Sequence, residues 1–188
     1  GVGKTKLSIE ISKKINGEII NADSMQVYKD LNIGTAKIKE AEKESIPHHL
    51  FDIKNVTEDY TIYNYQKDVR NLINEIWNRG NIPILVGGSA LYIKSALYDY
   101  NFHDQKNIKM YDEYETDSLY KKLLKIDKEA SKIDKHNRRR IINALNFYET
   151  TGTSITTNVT NDLLYKTIFI GLTTNREKLY DIINKRVD

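Results

Sequence analysis

Gly1-Val2-Gly3-Lys4-Thr5 opens the chain and decides how the rest is read. These five residues match the back half of the phosphate-binding pattern G-x-x-x-x-G-K-[ST]. Glycine there lets backbone N–H groups turn onto phosphate oxygens, Lys4 supplies a mobile charge, and the Thr5 hydroxyl suits Mg²⁺. A helix starting at this point adds its positive dipole end to the same anion. The bland alternative is an ordinary helix start with a lysine in its first turn. Leu7, Ile11 and Ile15 recur at four-residue steps, which predicts a helix over 6–15 and supplies the context that the motif needs.

Working outward, Glu18 to Ala22 reads as a short apolar strand with Asp23 at its C-terminal end. In open α/β sheets, ligand groups emerge at that end. Ser24, Met25 and Gln26 follow on the same edge; Asp23 as a helix cap or loop carboxylate is the competing reading. Gly34 to Lys37 is turn-like, and 39–45 is short and charged. Tyr63 to Arg79 is an amphipathic helix with Tyr65, Val69, Leu72, Ile73, Ile76 and Trp77 on one face, closed by Gly80. Ile82 to Val86 is a continuous apolar run, as a buried parallel strand requires. Gly87-Gly88-Ser89 then turns into a helix over 90–97, with Ser89 either an N-cap or part of a second anion-binding corner. Helices alternating with strands predict an α/β fold, a P-loop-type parallel sheet with helices on both faces.

The pattern changes near Asp99. Residues 100–117 are polar and tyrosine-rich, 119–126 and 138–148 read as helices, and 150–162 reads as a loop. Thr167 to Leu172 returns as a buried strand and 175–187 as a helix with Arg186 on its free face. The expected division is a catalytic core over 1–99 and 161–188 with a helical insertion over 100–160. The half motif at one end, and a helical pattern still running at the other, suggest a piece of a longer protein.

Charge is unevenly spread. The formal net charge is +3, yet residues 121–140 hold nine basic and three acidic residues. Such a block is a solvated helix face or a polyanion-binding patch. Arg138, Arg139 and Arg140 open a helix, where cations oppose the dipole and an external anion relieves the conflict. The chain has no cysteine, which excludes disulfides and thiolate metal sites and fits a reducing cytoplasm. No apolar run reaches membrane-spanning length. His48, His49 and Asp52 form a poor metal set, because adjacent strand residues point to opposite faces.

On these features alone a nucleotide- or diphosphate-binding domain follows. A small-molecule kinase is the default, with Asp23 as base and Arg186 or the Arg138–Arg140 cluster as phosphate clamp. A non-catalytic RNA- or nucleotide-binding module on the same fold is a further alternative.

The ordered set GVGKT, NADSMQVYKDLNIGTAK, IPHHLFDI, ILVGGSALYIKSALYDYNF, NRRRIINALNFYETTG and IGLTTNREKLYDIINKRVD resembles the bacterial tRNA dimethylallyltransferase (isopentenyltransferase) family over nearly the whole chain. DSMQ-x-Y followed by GTAK is far more specific than a phosphate loop, and kinases lack it. The resemblance implies that Gly1, Val2, Gly3, Lys4 and Thr5, with Arg186, bind the diphosphate of dimethylallyl diphosphate rather than ATP, with Mg²⁺ on Thr5. It implies that Asp23 is the general base for N6 of the adenosine 3′ of the anticodon, with Lys4 and Arg186 stabilising the leaving group. Ser24, Met25, Gln26, Ser89, Arg139, Arg140, Ile141, Ile142 and Asn143 match stretches that contact tRNA. Ser89 stands where the family usually has Thr, and Ala90 where it has Gly. The family's C-terminal helices and Trp-containing motif have no counterpart here. A cytoplasmic, monomeric enzyme is the resulting expectation.

Overall fold

A computed structural model of the chain describes residues 2–100, 111–156 and 159–187. Gly3 takes a left-handed conformation with φ 90°, which glycine adopts without steric cost, and its carbonyl accepts from Leu7 N at 3.1 Å. Helix α1 (Lys4–Ile15) starts there and ends on Asn16, also left-handed at φ 51°. The apolar stripe of α1 is not its buried face: Ser8, Ile9 and Ser12 are buried, while Ile15 is 44% exposed. The reason is close approach. A Cβ at Gly17 would collide with Ser12 and Ile84, so a small serine meets the strand there, while Ile9, outside the predicted stripe, supplies the buried apolar side chain.

Strand β1 (Gly17–Asn21) is buried throughout. It pairs in parallel with β2 (His48–His49) on one side and with β3 (Ile82–Val86) on the other. The order β2-β1-β3 puts the hydrophobic β1 in the middle, and α1 and α2 (Ile62–Asn78) pack on the sheet. Thr61 caps α2 in a reciprocal pair with Asn64, satisfying first-turn N–H groups that would otherwise lack partners. Tyr65, Val69, Ile73 and Ile76 form its buried face. Trp77 is 44% exposed but meets the Tyr165 ring edge-on at 5.4 Å. Helix α3 (Ala90–Leu97) follows β3.

Two compact units are present. The first comprises residues 1–97 and 165–188 and the second residues 98–164, so the second interrupts the first in sequence. In the second, α4 (Thr116–Ile126) and α5 (Arg138–Thr151) close over a core of Tyr111, Leu119, Leu123, Ala130, Ile133, Ile141, Ala144 and Leu145. Val159–Leu163, expected as loop, forms β5, antiparallel to β4 (Tyr98–Tyr100); a ladder partner some sixty residues earlier leaves no local signal. Conversely, Thr167–Leu172 is not the expected buried strand. It has no strand assignment, and Ile168, Phe169 and Ile170 are 88%, 55% and 61% exposed. An apolar run becomes a strand only against a hydrogen-bonding partner, and none of the described strands pairs with it. The last helix, α6, spans Arg176–Val187.

Candidate active site

The parallel strands β1 and β3 end in register, Asn21 opposite Val86, and the chain leaves both ends toward one cavity of about 1040 Å³. Val2, Gly3, Lys4, Thr5 and Lys6 line part of it, as do Asp23, Met25 and Gln26, Gly34, Thr35 and Ala36, and Val86, Gly87 and Gly88; Glu10, Glu42 and Glu44 are among the other lining residues. The cavity therefore unites the start of α1 with the stretch after β1, as a phosphate site at strand C-termini requires. Gly87 is needed for this closeness, since a Cβ there would collide with the backbone of Ala22.

The wall at 34–36 is held from behind. Gln26 Nε2 donates to Thr35 O at 2.8 Å and Thr35 Oγ1 to Leu31 O at 2.5 Å. Ala36 has a positive φ of 48°, a conformation that costs a non-glycine residue of order 1 kcal/mol or more. Lys37 anchors the segment: its side chain is 4% exposed, and Nζ donates to Tyr28 O at 2.6 Å and to Asp52 Oδ1 at 2.5 Å. Backbone bonds from Asp52 N to Gln26 O and from Ile53 N to Val27 O tie the same two loops together.

Asp23 is half-buried, and its Oδ1 accepts from Met25 N at 3.0 Å. Ser24 N donates to Ser89 Oγ at 3.2 Å, and Ser89 N donates to Ala22 O at 3.2 Å. Ser89 thus steadies the backbone beside Asp23, where the sequence offered it as an N-cap or a ligand contact. Thr5 and Asp23 bring a hydroxyl and a carboxylate to the same cavity. Hard oxygen donors beside a diphosphate are what Mg²⁺ takes, so these residues fit that ion. Among the described residues no cluster of three His, Cys, Asp or Glu could hold a metal. His49 Nε2 instead meets Glu18 Oε2 at 2.6 Å, and His48 Nδ1 lies 2.7 Å from Ile46 O.

The other expected contacts lie in the second unit. Arg139, Arg140 and Asn143 are exposed on α5 and offer a polar, cationic strip. Two neighbours do not. Ile141 is fully buried in the core of that unit and Ile142 packs partly against it, so Ile141 presents no surface to a ligand. Arg138 is also committed: Nη1 donates to Tyr114 O at 2.6 Å and Nη2 to Tyr111 O at 2.7 Å, which removes it from the free phosphate clamp. Gly1 and the Arg186 side chain lie outside the described residues.

A phosphate-loop-type helix start and a carboxylate just past a strand end, lining one cavity, define an α/β protein of the phosphate-loop type. The chain belongs to the IPP transferase family, whose profile matches residues 26–188. It is 49% identical to a tRNA dimethylallyltransferase of Anoxybacillus flavithermus, over all of this chain and 63% of that protein. The chain therefore spans 63% of the length of this curated relative. Its structure is similar over its whole length to a eukaryotic dimethylallyltransferase acting on tRNA (34% identity, TM-score 0.90, 49% of that chain). It is likewise similar to a tRNA isopentenylpyrophosphate transferase of Bacillus halodurans (40% identity, TM-score 0.68, all of this chain and 61% of that one).

Proposed function

We propose that the protein transfers the dimethylallyl group of dimethylallyl diphosphate to N6 of the adenosine 3′-adjacent to the anticodon of tRNA, acting in the cytoplasm as a monomer. The observation that carries this reading is the single cavity shared by Lys4, Thr5 and Asp23. In the reaction, the N6 lone pair forms a bond to the allylic carbon while that carbon's bond to the diphosphate oxygen breaks. The diphosphate leaves with the electron pair, and the amine proton passes to Asp23. An exocyclic adenine amine is a poor nucleophile, so both ends of this displacement need help.

Lys4 and the backbone N–H groups at the start of α1 stabilise the charge that grows on the leaving oxygens. Arg186 adds a second cation. Asp23, oriented by Met25 N, accepts the proton as the N–C bond develops, an effect typically worth ~10²–10⁴-fold. Mg²⁺ held through Thr5 supplies Lewis-acid stabilisation of the diphosphate when bound. The adenosine leaves its stack to enter the cavity, which Met25 and Gln26 line, with Arg139, Arg140 and Asn143 contacting the tRNA backbone.

The test separates prenyl from phosphoryl transfer. The full-length protein is incubated with tRNA and either dimethylallyl diphosphate labelled in its prenyl group or ATP labelled in its γ-phosphate. Label reaching tRNA only from the prenyl donor is the expected result. Phosphate transfer to any acceptor at ordinary kinase rates would overturn the reading in favour of a kinase.

A further inference from the structure

The geometry points to Asn21 as the positioning residue that sets Asp23 for proton transfer, through a side-chain amide that clasps both backbone polar groups of Asp23. Asn21 is the last residue of β1 and is 0% exposed. Its Oδ1 accepts from Asp23 N at 2.9 Å, and its Nδ2 donates to Asp23 O at 3.0 Å and to Leu50 O at 3.0 Å. Its own carbonyl accepts from Tyr65 Oη at 3.0 Å. Tyr65 is itself 0% exposed and stacks on Tyr92 with ring centroids 4.1 Å apart.

The strand's last peptide is therefore pinned by α2, and its side chain pins the residue two positions on. Asp23 has no freedom left in its N–H or C=O. Its carboxylate then accepts from Met25 N through Oδ1, and the residue lines the cavity. A buried amide left with unpaired donors or acceptors is costly, and here both donors and the acceptor are used, on the backbone of Asp23 and of Leu50. An ordinary core Asn would satisfy itself on any nearby backbone. This one spends two of its three bonds on the residue that carries the chemistry. Misplacing a reacting group by about 1 Å can cost ~10²-fold in rate, and that is the scale Asn21 guards.

The inference rests on Asp23 being the base, so Asp23→Asn is measured beside Asn21→Ala and Asn21→Ser in the full-length protein. Serine can still accept from the N–H two residues on, as Ser turns do, but cannot reach Leu50 O. Single-turnover transfer at saturating tRNA and dimethylallyl diphosphate gives a rate constant and an amplitude. Equilibrium binding gives the two dissociation constants. A merely structural Asn21 would lower the amplitude, the active fraction, at an unchanged rate constant.

The expected result is a rate constant reduced by about 10²-fold in Asn21→Ala and by only about 3–10-fold in Asn21→Ser, the worth of one or two hydrogen bonds. Amplitude and both dissociation constants stay within about twofold of the unsubstituted protein. If Asp23→Asn is slow while Asn21→Ala keeps its full rate constant, the positioning role is overturned and the base stands. If Asp23→Asn itself keeps its rate constant, the base assignment falls first. Should Asn21→Ala fail to give a cooperative unfolding transition, Asn21→Ser decides alone. A lowered rate constant at unchanged affinity supports the role, and an unchanged rate constant, or parallel losses of rate and affinity, overturns it.

Discussion

Replacing Glu18 by Gln tests how β1, which ends at Asn21 two residues before Asp23, is anchored at its other end. Glu18 is the second residue of the strand, with a side chain only 4% exposed. Oε1 accepts from Arg79 Nε at 3.2 Å and from Asn81 Nδ2 at 2.7 Å. Oε2 accepts from Arg79 Nη2 at 2.8 Å and lies 2.6 Å from His49 Nε2. The Arg79 guanidinium is the main reason that this carboxyl is held down at about 2 rather than 4.5; burial opposes it, and Asn81 and His49 add to it.

The gap between 4.5 and about 2 corresponds to about 3 kcal/mol of stability at pH 7. Breaking a buried pair costs ~3–5 kcal/mol, and the low end applies because the Arg79 side chain is 47% exposed and can be resolvated. The folded pKa is the depressed one. The contribution is therefore complete above pH 4.5, about half remains near pH 3, and it is lost as pH falls through about 2. Urea unfolding of the unsubstituted protein and Glu18→Gln at pH 7, 4 and 3 measures the difference. A gap of about 3 kcal/mol at pH 7 that narrows to roughly half by pH 3 is expected. The same gap at all three pH values would refute the reasoning, since the network would then contribute no charge-dependent stability.

Other outcomes follow from the same structure. Arg138→Ala should destabilise the second unit by about 1–3 kcal/mol, because two carbonyls lose a charged donor, as read from its unfolding midpoint. Arg139→Ala with Arg140→Ala should leave that midpoint unchanged and flatten the salt dependence of tRNA binding by about one unit per lost phosphate contact; an unchanged slope would make these arginines a solvated face. Lys37→Met should release the 34–36 wall and weaken dimethylallyl diphosphate binding, measured by titration, and Lys37→Arg should recover part of it. Lys4→Ala should lower both donor affinity and the chemical rate, in contrast to Asp23→Asn, which loses a transition-state interaction and leaves binding nearly intact.

Much of the core was legible because its signals are local. Gly3 before Lys4, the apolar run at 18–22 and the periodicity of 63–79 each follow from backbone conformation or burial on a single element; 82–86 is the expected strand but only partly buried, with Ile82 44% exposed, because it lies at the edge of the described sheet. Asp23 could be placed just past the end of β1, where it lines the cavity, because its signal is equally local. What stayed hidden depends on partners distant in sequence. The 167–172 run has a strand's composition and no described strand beside it. Ser12 lies on the buried face of α1 where Gly17 lets the strand come close, and Ile9 rather than Ile15 is the apolar residue buried there. Arg138 and Arg139 are neighbours in sequence, yet one is consumed by the carbonyls at 111 and 114 while the other faces outward. Ile141 sits inside a stretch that resembles a tRNA contact and faces the core. The roles of Asn21 and Ser89 are likewise set by which backbone groups a fold brings within reach, and no spacing rule encodes that.

The most direct measurement is mass analysis of tRNA nucleosides after incubation of the full-length protein with unmodified tRNA, dimethylallyl diphosphate and Mg²⁺. One adenosine per tRNA should gain a single five-carbon prenyl unit, and fragment mapping should locate it immediately 3′ of the anticodon. An unchanged tRNA mass under these conditions, or a prenyl group at any other position, would contradict the account.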